Sequence, residues 1–494
     1  MERKRKFNEF FKEELTISEV QEAMETGRIT AKELVMYCLD RIASFDQQGP
    51  VINSIIEINP YAIFIAEGLD QERKMKGVRG PLHGIPVLLK DNIGTHDAMH
   101  TSAGTLALRH HISSEDAFLV TRLRKAGAVI LGKTNMTELA NGMSLTMPAG
   151  FSSKGGQTLN PYGPGRLFVG GSSSGAAAAV AANFALVSVG TETDASILSP
   201  AIQNAVVGIK PTVGLISRTG VIPFTYTQDT PGPIARTVED AVRLLNVLSG
   251  EDPADAATFR SAGRRVEDYT AFLDAEGLKG ATIGVFTAAN ESYFQSGEHD
   301  EELFRAAINV LRSQGATVIE DIEIPSFDRD WSWGVPIYEM KHSLQNFLAG
   351  LPPGAPVHTD AELIQFNKTN NEQALKYGQN MLEYREGLPA GLKNPEYLNA
   401  KLDDLYFSQE QGIDCALRTY GVDAILFPSY IGSTICAKAG YPSIAVPAAF
   451  MPNGRPFGVT FASGAFTEGL LIKLAYAFEQ ATLHRRPPAL DISN

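Results

Sequence analysis

The stretch that decides the fold runs from residue 170 to residue 197 and reads GGSSSGAAAAVAANFALVSVGTETDASI. It contains two segments rich in small and polar residues, at 170–175 and 190–196. The alanine-rich run between them has no polar face, so it predicts a buried helix followed by a strand. Active sites tend to lie in loops at the ends of strands, which makes these two segments the first candidates for a functional site.

Outward from this stretch, apolar runs alternate with helical patterns. Strands are predicted at 51–58, 85–89 and 128–131, with a helix at about 114–126 between the last two. Strand, crossover helix and strand in that order imply parallel pairing. Further strands are predicted at 424–428, 443–447 and 458–461, with helices starting near Thr237 and spanning 467–482. We therefore predict an α/β fold, a three-layer α/β/α sandwich around a mixed, largely parallel β-sheet.

The same pattern of strands and helices predicts four regions. Residues 1–70 form a helical arm, in which Thr16 with Glu19 and Thr30 with Glu33 have the spacing of capping boxes. Residues 71–250 form the core. Residues 251–421 are more polar and irregular, which predicts a variable cap packed on the core and lying outside the main sheet. Residues 422–494 supply strands and a helix that complete the core.

Composition narrows the class of partner. Of 494 residues, 44% are hydrophobic and 20% charged, and the formal net charge is −13. A chain this acidic argues against nucleic acid and anionic membranes, which bind clustered Lys and Arg. The basic cluster Arg3–Lys6 is interpreted as a solvated terminus, because no apolar run of signal-peptide length follows it. Three cysteines without metal-binding spacing fit the reduced thiols of a cytoplasmic protein.

Lys90 is the first residue that could carry chemistry. It directly ends an apolar run, so it is expected to be desolvated, and desolvation lowers the pKa of a lysine until the neutral amine can act as a base. The alternative is a lysine at a strand end that pairs with Asp91 or reaches solvent.

The segment 170–175 contains the next candidates. Its small residues let a ligand approach the backbone, and N–H groups at the start of a helix stabilise negative charge. A plain flexible loop is one alternative. Another is a nucleophile elbow centred on Ser173, but this needs a preceding strand, for which only 167–169 offers room, and a later histidine partner that no sequence context indicates.

The segment 190–197 places Ser196 in a polar turn after a strand. Consecutive backbone N–H groups in such a turn could hold an oxyanion while the serine attacks a carbonyl. The alternative is an ordinary turn in which Asp194 bonds the backbone.

Taken together and in order, these segments resemble the amidase signature family. The matching blocks are GIPVLLKD at 84–91, GGSSSG at 170–175, ETDASI at 192–197, GIKPTVG at 208–214, QDTPGP at 228–233 and AGYPS at 439–443. The resemblance spans nearly the whole chain and is weakest at about 251–421.

The resemblance implies a role for each matching residue. Ser196 becomes the nucleophile, Ser172 a bridging serine after a cis peptide bond with Gly171, and Lys90 the base, with Ser173 in support. The implied oxyanion hole consists of the backbone N–H groups of Thr193, Asp194, Ala195 and Ser196. The implied reaction needs no metal or organic cofactor.

Two departures from the family pattern shape the functional prediction. Ala195 stands where the family usually has Gly, so a positive φ there would strain the backbone. Ser196-Ile197 is not followed by the Arg common in the subunit that supplies ammonia for transamidation of glutamyl-tRNA. The sequence looks more similar to the peptide-amidase-like branch of free-standing amidases.

The predicted function is hydrolysis of a small, aryl or C-terminal carboxamide, extending to esters and carbamates, by a monomer or homodimer acting on a small-molecule amide. The alternatives are the glutaminase subunit of a glutamyl-tRNA amidotransferase complex and a non-catalytic relative. Residues lining the acyl pocket are expected from 251–421 and from loops such as 141–150. Each aromatic residue of the cap, including Trp331, Trp333, Tyr338 and Phe347, is expected to fill the core rather than line that pocket.

Overall fold

The computed structural model of the protein describes residues 14–287, 298–389 and 391–490. The basic cluster Arg3–Lys6 lies outside the described residues. The strands are β1 (Ile55–Ile58), β2 (Pro86–Lys90), β3 (Val129–Thr134), β4 (Phe151–Ser152), β5 (Gly156–Gln157), β6 (Val187–Glu192), β7 (Val207–Lys210), β8 (Thr230–Ala235), β9 (Thr282–Val285), β10 (Thr317–Ile319), β11 (Ala424–Pro428), β12 (Ser443–Phe450) and β13 (Pro456–Ala462).

Within the described residues, eleven of these strands form one sheet in the order β1-β3-β2-β6-β8-β7-β12-β13-β11-β9-β10, and β4 and β5 form a small hairpin. The predicted mixed sheet between helices is confirmed. Parallel pairing is confined to two groups of three strands, β3-β2-β6 and β11-β9-β10. The other six pairings in the sheet are antiparallel, a larger share than expected.

Both faces of the sheet are covered, as the alternation of side chains along single strands shows. In β8, Ile234 packs in one apolar cluster and Ala235 in another. In β12, Ala445 packs in the cluster of Ile234, and Ile444 packs in the cluster of Ala235. Successive side chains of a strand point to opposite faces, so the two clusters lie on opposite sides of the sheet. This arrangement explains why the central strands are nearly continuously apolar.

The α-helices span Ile17–Glu25, Ala31–Arg41, Ala62–Lys76, Phe118–Lys125, Ser174–Ala181, Leu198–Gln203, Val238–Leu248, Glu298–Ser313, Gly334–Ala349, Asp360–Thr369, Asn371–Ala374, Asn380–Glu386, Pro395–Leu405, Asp414–Tyr420, Ser433–Ala439 and Glu468–Thr482. Short 3₁₀ turns lie at Leu106–Leu108, Glu138–Asn141, Ala256–Ser261 and Tyr269–Phe272, and π-helical turns at Ile42–Asp46 and Tyr406–Ile413.

The capping predictions for the helical arm are confirmed. Thr16 and Thr30 each accept a hydrogen bond from the backbone N–H three residues on, while Glu19 and Glu33 reach back to the capping backbone. Thr237 likewise caps the helix Val238–Leu248. Each cap satisfies backbone donors that the first turn of a helix leaves without partners.

One feature of the predicted cap is wrong. The sequence places region 251–421 outside the main sheet, but this region supplies β9 and β10, which extend the sheet beside β11. These strands are only four and three residues long, so their alternation carries too little signal against the polar surroundings. Among the described residues from 334 to 420, none belongs to a strand of the sheet.

Two glycines of the stretch 170–197 allow close packing against neighbouring residues. The helix Ser174–Ala181 is entirely buried. A Cβ at Gly175 would lie 2.4 Å from the Ser54 carbonyl oxygen, and one at Gly190 would lie 2.9 Å from Ser173 Oγ. Glycine is therefore required at both positions, because any side chain would push the helix away from its neighbours.

Candidate active site

Three side chains form a continuous chain at the carboxyl ends of β2 and β6. Lys90 Nζ lies 2.7 Å from Ser172 Oγ, and Ser172 Oγ lies 3.0 Å from Ser196 Oγ, within hydrogen-bonding distance. Lys90 ends β2, which pairs in parallel with β6, so the two carboxyl ends meet at one edge of the sheet. Ligand and catalytic sites of open α/β sheets lie at that edge.

Ser172 is held by its backbone as well as by its side chain. The peptide bond between Gly171 and Ser172 is cis, as the sequence resemblance implied. The Ser172 carbonyl accepts a hydrogen bond from the Thr137 N–H at 3.1 Å, and the next residue, Ser173, donates its N–H to the Ser196 carbonyl at 3.1 Å. The second bond ties the two predicted segments directly to each other.

Lys90 is fully buried, and burial lowers its pKa to about 7 because the ammonium form loses its hydration. The carboxylates of Asp229 and Glu192 counteract this shift only in part. The alternative pairing with Asp91 does not occur, since Asp91 Oδ2 accepts from the Ser102 hydroxyl and the Gly104 N–H instead. The pKa of Lys90 thus lies near neutral pH, where a general base is most effective.

Thr191 completes the surroundings of Lys90, and the sequence analysis missed it. Lys90 Nζ lies 3.0 Å from the Thr191 carbonyl oxygen and 2.9 Å from Thr191 Oγ1. Asn92 Nδ2 also donates to Thr191 Oγ1, at 3.0 Å. Thr191 and Asn92 directly adjoin the matched blocks, but no pattern in the chain indicates that a threonine of β6 touches the amine of β2.

The turn that carries Ser196 has an unusual backbone. Ala195 adopts a φ of 59°, in the left-handed region that favours glycine. None of the hydrogen bonds found among the described residues uses the N–H of residues 193, 194, 195 or 196 as its donor. Donors left without a partner beside a serine are suited to receive developing negative charge.

Glu192 fixes the chain that follows Ser196. Its Oε2 accepts the backbone N–H groups of Ile197 and Leu198 at 2.6 and 3.0 Å. Burial raises the pKa of Glu192 to about 7, and the buried amine of Lys210 opposes that shift. Glu192 therefore anchors the start of the helix Leu198–Gln203 and with it the position of Ser196.

Two residues of the QDTPGP block hold Thr193. Asp229 Oδ1 accepts the Thr193 hydroxyl at 2.6 Å, and Gln228 Nε2 donates to the Thr193 carbonyl at 3.2 Å. The resemblance to the family includes this block but implies no role for its residues. Its contacts show that it braces the predicted oxyanion turn.

The elbow interpretation is wrong in this structure. Residues 167–169 form no strand. Ser173 is fully buried, and its Oγ is bonded to the carbonyl and the N–H of Thr191 at 3.0 and 3.2 Å. A hydroxyl enclosed in this way cannot meet a substrate, so Ser173 supports β6.

Ser196 opens onto a cavity of about 220 Å³. Its core side includes Thr193 and Gln228, and its cap side includes Trp331, Trp333 and Pro336. A second cavity of about 240 Å³ adjoins it, because Ala140, Thr193 and Phe224 line both. The cap and the core thus meet at Ser196.

Two expectations about this cavity need correction. Loop 141–150 contributes no lining residue to either cavity in the described part of the chain; the preceding residues Leu139 and Ala140 do. Trp331 and Trp333 line the cavity rather than only filling the cap, whereas Tyr338 and Phe347 pack against apolar clusters as expected. The sequence could not separate these cases, since the position of a cap aromatic depends on tertiary packing.

Within residues 14–287, 298–389 and 391–490, no three His, Cys, Asp or Glu side chains are grouped so that they could hold a metal ion. A search of the same residues finds no helix with the length and apolar character needed to cross a membrane. Cys38, Cys415 and Cys436 are free thiols, and the first and last are buried as expected.

The sheet edge brings two serines and a buried lysine into contact, and comparison with known proteins identifies the family. The model of the Amidase family matches residues 33–434, so the chain belongs to the amidase family. A probable amidase of Arabidopsis thaliana is 39% identical, with 96% of this chain and 91% of the relative covered. A glutamyl-tRNA(Gln) amidotransferase subunit of Pseudomonas aeruginosa is 34% identical, with 96% and 99% covered.

Among solved structures, the peptide amidase of Stenotrophomonas maltophilia superimposes with a TM-score of 0.90 at 42% identity, covering 96% of this chain and 98% of that one. The predicted fold and family are thereby confirmed. The peptide amidase is more similar to this chain than the amidotransferase subunit is, which favours the predicted amidase over the predicted alternative.

Proposed function

We propose that this amidase hydrolyses a carboxamide through an acyl-enzyme formed on Ser196. The observation that carries the proposal is the unbroken chain from Lys90 Nζ through Ser172 Oγ to Ser196 Oγ, with contacts of 2.7 and 3.0 Å. A serine becomes a nucleophile when a base can accept its proton as it attacks.

Lys90 is suited to act as that base. A neutral amine has two N–H donors and one lone pair. The carbonyl of Thr191 can only accept, and Thr191 Oγ1 lies at hydrogen-bonding distance as well. If these two oxygens take the two donors, the lone pair faces the Ser172 hydroxyl, which can then donate to Lys90.

The reaction follows from this arrangement. Ser196 Oγ attacks the carbonyl carbon while its proton passes to Ser172 and the Ser172 proton passes to Lys90. The backbone N–H groups of residues 193–196 hold the oxyanion. Reversing the relay protonates the departing nitrogen, which otherwise leaves poorly. Water then cleaves the acyl-enzyme, giving a carboxylic acid and ammonia or an amine.

The similarity to a peptide amidase supports carboxamides of peptide type as substrates. An acyl-enzyme route restricts the leaving group only through the shape of the site, so anilides, esters and carbamates with a fitting acyl group enter the same scheme. No step of the scheme calls on a metal or an organic cofactor.

The second candidate function is that of the glutaminase subunit of an amidotransferase complex. The identity of 34% to the Pseudomonas aeruginosa protein favours it. It requires partner chains and glutamine as substrate. A purified lone chain that hydrolyses other carboxamides but not glutamine would exclude it. Cytoplasmic location, a monomeric or homodimeric state and the division into four regions stay predictions.

The first experiment is mass spectrometry of the intact protein after reaction with a fluorophosphonate. We expect one adduct on the parent protein, no adduct on Ser196→Ala and a strongly slowed reaction on Lys90→Ala. The parent should also release acid from an N-acetylated amino-acid amide.

Ser173→Ala is the matched control, because it removes a hydroxyl from the same segment without touching the relay. It should still form the adduct. Labelling that disappears with Ser173→Ala and persists with Ser196→Ala would overturn the assignment. No labelling of the folded parent would favour the non-catalytic interpretation.

A further inference from the structure

The cavity at Ser196 has one wall that comes from the cap. This wall is the tryptophan segment, Trp331-Ser332-Trp333, which directly precedes the helix Gly334–Ala349. The chain contains two tryptophans in all, and both line the cavity together with Ser196. Trp331 also packs against an apolar cluster of the core, whereas Trp333 is 58% exposed.

A buried lysine joins the tryptophan segment to the core. Lys438, on the helix Ser433–Ala439, donates from Nζ to the Ser332 carbonyl at 3.0 Å and to Asp404 Oδ2 at 2.7 Å. The side chains of Lys438 and Asp404 are only 4% and 9% exposed. The Lys438 ammonium also lies 5.9 Å from the centre of a Trp331 ring, within the range of a cation–π contact.

This link has no substitute among the described hydrogen bonds. The other bonds of the tryptophan segment are local, from the Gly334 N–H to Ser332 Oγ and from the Ile337 N–H to the Trp333 carbonyl. Lys438 therefore bridges three elements: the tryptophan segment, the helix Pro395–Leu405 that carries Asp404, and the core. A buried ion pair that also satisfies a backbone carbonyl has a fixed geometry.

The cavity fits the acyl half of a substrate better than the departing nitrogen. A leaving nitrogen receives its proton from Ser172 in the proposed mechanism, and Ser172 is not among the described residues that line this cavity. The volume of about 220 Å³ also exceeds by far the roughly 30 Å³ of a water-sized leaving group such as ammonia. Its aromatic and proline walls favour an apolar group, above all a flat ring.

We propose that Lys438, paired with Asp404, is a positioning residue that holds the tryptophan segment as the wall of a subsite for apolar, chiefly aromatic, acyl groups. This inference rests on the proposed function, since it assigns the acyl side of the same reaction. It explains why a lysine that lines the cavity is buried as an ion pair with Asp404, since an unpaired buried charge would be costly.

The two tryptophans make the subsite directly observable. In Ser196→Ala, which cannot form the acyl-enzyme, N-acetylphenylalaninamide should bind and change the tryptophan emission excited at 295 nm, a wavelength at which the ligand does not absorb. Acetamide should leave that emission unchanged at the same concentration. Equal responses to both ligands, or none to the aromatic amide, would overturn the assignment of the subsite.

The role of Lys438 is tested by the preference for an aromatic over a small acyl group. We expect Lys438→Met to raise KM for N-acetylphenylalaninamide about tenfold or more while kcat falls much less, and to shrink the ratio of kcat/KM between that amide and acetamide. Lys473→Met is the matched control, because it breaks an exposed pair with Asp274, and neither of these residues lines the cavity. That control should keep the parent's ratio.

Removing Lys438 alone leaves the Asp404 carboxylate buried and unpaired, which can unfold the region. The double variant Lys438→Met with Asp404→Leu removes both charges and still lacks the link to Ser332. It should fold and show the same loss of preference. A folded double variant that keeps the parent's preference would overturn the proposal.

The two proposals fail in different ways. If the parent neither forms the fluorophosphonate adduct nor hydrolyses any amide, the proposed function fails and this inference fails with it. If the parent hydrolyses amides through Ser196 without preferring aromatic acyl groups, the proposed function stands and the inference about Lys438 is wrong.

Discussion

The two walls of the Ser196 cavity are built in different ways. The core wall comes from residues close together in the chain, such as Thr193 and Ser196, at the end of β6 and braced by Asp229 and Gln228. The cap wall comes from the tryptophan segment, which reaches the core through Lys438. Pairing of β6 in the sheet, together with side-chain bonds to the turn that follows it, fixes the first wall. A buried side chain that reaches the tryptophan segment fixes the second.

This difference separates chemistry from selectivity. A relay of proton transfers depends on distances near 3 Å, so it gains from strands whose positions the sheet determines. An acyl subsite needs a shape, and a segment outside the sheet can change shape without moving the relay. We therefore expect variants of the relay residues to change kcat for every substrate. Variants of the tryptophan segment, or of its link to Lys438, should change KM for some substrates.

The largest effect should come from Lys90→Met in the core. Removing the base is expected to lower kcat by roughly 10²–10⁴-fold, and by the same factor for N-acetylphenylalaninamide and acetamide, because both use one relay. Steady-state kinetics on the two amides measure this. Lys473→Met is the control. A loss of kcat confined to the aromatic amide would contradict the assignment of the relay to every substrate.

The pH dependence of kcat/KM for the parent protein tests the role of Lys90 as the base without a variant. Burial lowers the pKa of Lys90 to about 7, so the amine is protonated and inactive as a base below that pH and neutral above it. The value of kcat/KM should therefore rise with pH through about 7 and then level off. A profile that stays flat from pH 5 to 9 would contradict Lys90 as the base.

A smaller effect is expected from Trp333→Ala in the cap. Loss of one aromatic wall should cost about 1.4 kcal/mol of binding, or about tenfold in KM for N-acetylphenylalaninamide. The value of kcat should change little, because Trp333 does not touch the relay. Trp333→Phe is the matched control and should recover most of the affinity. A fall in kcat at constant KM would contradict the division between the walls.

The smallest effect is expected from Ala195→Gly in the core. At a φ of 59°, glycine removes a left-handed strain of about 1 kcal/mol, so the free energy of unfolding should rise by that amount. We expect kcat to stay within about twofold, because the backbone already holds this conformation. Denaturant unfolding measures the change in the free energy of unfolding.

Ala205→Gly, at a φ of 48° away from the nucleophile, is the matched control for stability. A gain in stability for Ala205→Gly accompanied by a loss for Ala195→Gly would show that the Ala195 methyl group has a packing role.

How much could be predicted differs between these parts of the molecule. The strands at 424–428 and the capped helices were predictable, because alternation and capping are local signals. β9 and β10 were not, because such short strands owe their existence to pairing with β11 and with each other. In the site, the matched blocks indicated Lys90, Ser172 and Ser196, but nothing local indicated the contacts of Thr191 or Glu192.

The sequence by itself determined the family, the mixed sheet between helices and the residues of the proposed relay. It did so because those features depend on short contiguous blocks whose backbone conformation is largely local. The tertiary structure alone decided that Thr191 meets Lys90, that Glu192 anchors the chain after Ser196, and that Lys438 holds two tryptophans over the cavity. The contacts of Lys90 with Thr191, and of Lys438 with Ser332 and Asp404, join residues 34 to 106 positions apart in the chain. The contact of Glu192 with Ile197 is close in the chain but depends on burial. A local sequence pattern indicates neither distant contacts nor burial.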